Sequence, residues 1–161
     1  MNFHQVRSRL RTSYITDPYS LLIHYKRAYK LLKLVKENAG RVLILGNRNH
    51  FGVNWQQSLG FRASGDGSNA PQHSMHTRVD EHVISTASKD YSLVLCLDPI
   101  LFAKALHRIN LPVMMIATPK ELHEHPEILQ VTDYLLPATT SKHDAALSEL
   151  LRRQIVGAPN T

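Results

Sequence analysis

The residues best placed to do chemistry stand at the ends of short apolar runs. Residues 41–46 read RVLILG and lead into Asn47, Arg48, Asn49 and His50. A guanidinium on a turn beside a helix N-terminus suits a phosphate; an exposed surface arginine is the plainer alternative. The stretch GNRNHFG has neither the glycine spacing of a dinucleotide fingerprint nor the glycine-lysine-serine/threonine ending of a P-loop. Gly46 is therefore read as serving a tight turn. Asp98 ends a second run, residues 92–97, where α/β enzymes place carboxylates that move protons or hold Mg²⁺. Asp98-Pro99 opening a helix is, however, the ordinary form of an N-cap followed by proline at the first helical position.

Other reactive types lack partners. His73 and His76, and His123 and His125, have no further ligands at the spacing of a zinc site. A His-x-His on a helix also points its rings apart. Cys96 lies in an apolar run and reads as a small core residue rather than a nucleophile. No serine elbow, no cysteine–histidine pair on matching elements and no close pair of carboxylates stands out. No catalytic residue, metal site or cofactor is expected.

The elements that must carry these residues follow from periodicity. A helix is expected over 18–38, with Asp17 as cap and Leu21, Leu22, Tyr25, Ala28, Tyr29, Leu32 and Val35 repeating at helical spacing. Asn38-Ala39-Gly40 is its stop. Lys26, Lys30 and Lys33 share the opposite face, either as a solvated face or as a stripe that tracks phosphates. Strands are expected over 41–46, 92–97 and 113–117, each short, apolar and read as buried, with a short fourth strand over 132–136. Helices are expected over 51–59, over 100–109 with Leu101, Ala105 and Leu106 facing inward, and over 141–155. Thr118 to Glu121 matches a capping box with Pro119 at the first helical position, opening a short helix or turn over 121–129. Residues 62–80 have almost no apolar periodicity and read as a long polar loop.

Strands alternating with amphipathic helices predict an α/β protein, a Rossmann/flavodoxin-like three-layer sandwich on a short, mainly parallel sheet. The 161 residues, 43% hydrophobic and 20% charged, suit one globular domain, taken as 17–157 with a tail over 158–161. The net charge of +6 points to a polyanionic partner, RNA or DNA ahead of an anionic membrane. No apolar run reaches the roughly 20 residues needed to span a bilayer. A single cysteine excludes an internal disulfide. Residues 1–16 carry Arg7, Arg9 and Arg11 among serines and threonines, with no acid. That stretch resembles an organellar targeting segment, or it is a basic arm that contacts RNA.

Three segments, in order and spacing, resemble the second protein of the small ribosomal subunit, the ribosomal protein S-two family. Residues 19–49 (YSLLIHYKRAYKLLKLVKENAGRVLILGNRN) resemble its helix, strand and basic turn. Residues 91–118 (YSLVLCLDPILFAKALHRINLPVMMIAT) resemble a strand ending in Asp, a helix, a Leu-Pro turn and a strand ending in Thr. Residues 132–155 (TDYLLPATTSKHDAALSELLRRQI) resemble its last strand, loop and helix. Together they cover about half the chain. The segment 61–90 is too short for the family's long helical hairpin, and its tryptophan- and glycine-rich turn has no match. ELHEHPEIL replaces an aspartate-rich loop. Such trimming fits an organellar ribosome, a mitochondrial one above all.

The resemblance implies a non-catalytic part of the small subunit, bound to rRNA and to neighbouring ribosomal proteins in the mitochondrial matrix, with no homo-oligomer and no membrane contact. By position it assigns RNA contacts to Arg48, Asn49, Lys142 and His143. Charge placement adds Arg7, Arg9, Arg11, Lys26, Lys30, Lys33 and Arg41. The competing reading is an α/β enzyme or binder of a phosphorylated small molecule, since fold does not decide function.

Overall fold

The computed structural model describes residues 3–7, 12–16, 18–46 and 74–138. An N-terminal pair of antiparallel strands, β1 (Phe3–Arg7) and β2 (Thr12–Thr16), runs from Phe3 opposite Thr16 to Arg7 opposite Thr12. Then come α1 (Pro18–Glu37), β3 (Val42–Leu45), β4 (Ser74–His76), α2 (Glu81–Asp90), β5 (Leu93–Cys96) and α3 (Pro99–Leu106). The described chain ends with β6 (Val113–Ala117), α4 (Pro119–Glu124), a 3₁₀ turn (Pro126–Val131) and β7 (Tyr134–Pro137).

β3 to β7 form one sheet in the order β4-β3-β5-β6-β7, and every pairing is parallel. Counted within that sheet the order is 2-1-3-4-5, the flavodoxin type of doubly wound fold. The runs VLIL, LVLC and VMMIA are buried at every position, as strands covered on both faces must be. Alternation sorts their side chains. Val42, Ile44, Leu93, Leu95, Met114, Ile116 and Leu136 pack with Ala28 and Leu32 of α1. Leu43, Leu45, Val94, Cys96, Met115 and Ala117 pack with Ile84 and Ala87 of α2 and with Phe102, Ala105 and Leu106 of α3. Helices therefore lie on both faces, and the molecule is the expected three-layer α/β sandwich.

The caps are those the sequence announced. Asp98 accepts a long hydrogen bond from the Leu101 N–H (3.4 Å), with Pro99 at the start of α3. The Thr118 hydroxyl accepts from the Glu121 N–H at 3.2 Å and donates to Glu121 Oε1 at 3.1 Å. Asp133, just ahead of β7, accepts from the Val113 N–H at 2.8 Å and ties the starts of β6 and β7 together.

Several elements differ from expectation. Ser74–His76 is a strand inside the 62–80 stretch read as a loop, and it makes the sheet five-stranded rather than four-stranded. Helix α2 was not anticipated, because only Ile84 and Ala87 along it are buried. Its start is set by Asp80, which accepts from the N–H groups of His82 and Val83. On α3 Ala105 and Leu106 face inward as expected, but Phe102 joins them in place of Leu101, which is 50% exposed. On α1 the buried stripe is narrower than the apolar pattern, and Leu22 (52%) and Tyr29 (41%) face solvent. The stretch read as a targeting segment or a basic arm, for which no strand was expected, contains β1 and β2. Asp17 and the helices expected over 51–59 and 141–155 lie outside the described residues.

Helix α1 ends in a Schellman motif. The Gly40 N–H donates to Val35 O at 2.8 Å and the Ala39 N–H to Lys36 O at 3.1 Å. The left-handed position falls on Ala39 (φ 52°) rather than on the neighbouring glycine. A Cβ in that conformation costs about 1 kcal/mol. Ala39→Gly is accordingly expected to raise stability by about 1 kcal/mol, or roughly 2–4 °C in Tm. A thermal melt showing no rise would contradict this account of the cap.

Candidate nucleic-acid interface

Helix α1 lays Ala28 and Leu32 on the sheet, and the rest of its surface is placed by the turn of roughly 100° per residue. Tyr25, at the edge of the buried stripe, packs half-buried against the core. Tyr29 falls further round, and Lys26, Lys30 and Lys33 beyond it. These five residues line one groove of about 640 Å³ with a largely apolar floor. The sequence therefore placed the three lysines on one face correctly. It assigned Tyr29 to the core, although Leu22 and Tyr29, seven residues apart, mark a row at the margin of the stripe.

The groove is strongly basic. Lys33 pairs with Glu37, whose Oε1 is 4.0 Å from Lys33 Nζ, with both side chains more than half exposed. Such a pair is screened by water and leaves most of the positive field intact. His24, on the same helix, adds little charge: burial first, then nearby positive charge that includes Arg27, holds its imidazole below its ordinary pKa.

The other basic residues are placed differently. Arg41, at the amino end of β3, stands on the Tyr91 ring, 5.0 Å from its centroid, and does not line the groove. Arg27, which sequence reasoning passed over, lies 5.6 Å from the centroid of Tyr134. With Asn110, Pro112 and Asp133 it lines a second depression of about 560 Å³. A cation next to Lys26 and one helical step off the lysine row was the available signal. Arg7 is the last paired residue of β1. Arg9, Arg11, Arg48, Asn49, Lys142 and His143 lie outside the described residues.

The carboxyl ends of the strands are where a doubly wound sheet holds a ligand, and the order reverses between β3 and β5. There Gly46 (φ 97°) meets Asp98 so closely that a Cβ on Gly46 would lie 2.8 Å from Asp98 Cβ. The Asp98 carboxylate turns toward the start of α3. Behind it, burial pushes the Cys96 thiol up to about 12, which makes it inert. Away from the switch point, Arg108 grips Glu81 through two contacts, at 2.5 and 3.0 Å, joining α2 to the turn after α3. That hydrogen bond lowers the pKa of Glu81.

Among the described residues no three His, Cys, Asp or Glu side chains gather as a metal site. No described helix is long and apolar enough to cross a membrane. No family model matches the chain, and no curated protein matches it.

Proposed function

We propose that this chain is a structural, RNA-binding protein of the small subunit of a mitochondrial ribosome, held there by rRNA and neighbouring ribosomal proteins. The observation that carries the reading is the lysine-rimmed groove of α1. The net charge of +6 and the three segments that resemble ribosomal protein S-two support it. The competing reading, a phosphorylated small molecule at the carboxyl ends of the strands, is opposed by Asp98, a carboxylate at the place an anion would occupy.

Sedimentation of organelle extract tests the proposal. The protein is expected in small-subunit fractions at moderate salt, and its absence there overturns the reading. Replacing Lys26, Lys30 and Lys33 together by alanine is expected to weaken RNA binding and to flatten its salt dependence. Each lost phosphate contact removes about 0.7–0.9 from the slope of log K against log salt. An unchanged slope removes these lysines from the interface.

A further inference from the structure

We infer that the groove on α1 receives an unpaired nucleotide of RNA, with its base against Tyr29 and its phosphates on Lys26, Lys30 and Lys33. The inference rests on the RNA-binding reading above and narrows it to single-stranded RNA. Tyr29 keeps 41% of its surface in water beside a cavity of about 640 Å³. That volume lies inside the roughly 300–1,000 Å³ range of pockets that hold small ligands. From Lys26 to Lys33 the helix rises roughly 10 Å, so the cations form a row and not a point.

Two kinds of surface meet here, and few partners satisfy both. A duplex offers phosphates but keeps its bases stacked inside, which leaves the apolar floor uncovered. An apolar helix would fill the floor and leave the lysines desolvated without anions. An unpaired nucleotide brings a flat π-face and a negative charge on one small unit. The apolar members of the groove are tyrosines, Tyr25 and Tyr29, rather than the leucines or methionines that suit a docking helix. A tyrosine face is the surface on which RNA-binding modules stack a base.

The test measures binding of the full chain, by fluorescence polarisation at fixed salt, to an unstructured RNA oligonucleotide and to a blunt RNA duplex of equal length. The single strand is expected to bind roughly 10-fold tighter. Tyr29→Ala is expected to weaken the single strand about 10-fold and leave the duplex unchanged, since one base–aromatic stack is lost. Tyr29→Phe should retain binding. Lys30→Glu, on the exposed face, should weaken both forms and serves if Tyr29→Ala melts early. Equal binding of strand and duplex, or a neutral Tyr29→Ala, overturns the groove as a nucleotide site while RNA binding stands. Binding of neither RNA removes the RNA reading itself. An acidic helical peptide that displaces the single strand and binds more tightly overturns the inference in favour of a protein partner.

Discussion

Gly46→Ala is expected to lower stability by about 3 kcal/mol or more, through two costs that add. The backbone at Gly46 has φ 97°, in the left-handed half of conformational space, where any Cβ costs about 1–2 kcal/mol. The new methyl would also lie 2.8 Å from Asp98 Cβ and 2.9 Å from Asp98 N. Neither atom is the free end of a flexible side chain. The strand ends around it are pinned: the Gly46 N–H donates to His76 O and the Leu97 N–H to Leu45 O, both at 2.8 Å. Relief requires prying β3 from β5, which also disturbs the Asp98 cap of α3. Urea denaturation should show the midpoint falling with the slope unchanged. A loss below about 1 kcal/mol would mean that the contact relaxes freely, contrary to this geometry.

Phe102→Ala should cost about 3–5 kcal/mol, the range for removing a buried phenylalanine and leaving a cavity. Phe102 is fully buried, in the cluster that includes Leu106, Ile109, Leu122 and Ile128. Its neighbour Leu101 is half exposed, and Leu101→Ala should cost less than about 1 kcal/mol. The comparison separates two orientations of α3. If Leu101→Ala proves the more damaging, the helix is rolled so that Leu101 rather than Phe102 joins Ala105 and Leu106 in the core.

The exchange of Leu101 for Phe102 shows where sequence reading fails. PILFAKAL is apolar almost all round, so several faces of α3 could be chosen, and only the packing around Phe102 decides. The strands β3, β5, β6 and β7 were legible for the opposite reason. Each is an unbroken apolar run between polar or proline-containing turns, with no competing period. The caps at Asp98 and Thr118 were legible because each is local, a side chain accepting from a backbone N–H three residues on. β4 was not, since three residues at a sheet edge carry no pattern of their own. α2 was not, since EHVISTASKD buries so little that its start rests on Asp80 alone. In the candidate interface the lysine row was visible from spacing. The groove was not, because it depends on how far α1 is rolled on the sheet, and that roll exposes Tyr29.

The strand order also has a consequence for synthesis. Both neighbours of β3 in the sheet, β4 and β5, are encoded after it. At about 5–20 residues per second, roughly 2–10 seconds separate translation of Leu45 from translation of Leu93, its partner strand's first residue. Until β4 is made VLIL waits with two open edges, and from then until β5 is made with one, the kind of segment that pairs with the wrong chain. β5, β6 and β7 wait less, because β5 finds β3 already made and β6 and β7 each follow their neighbour after a short crossover. The nascent chain is therefore most vulnerable over β3, the first strand of the five-stranded sheet to be made, and safest once Leu93 to Cys96 have closed beside it.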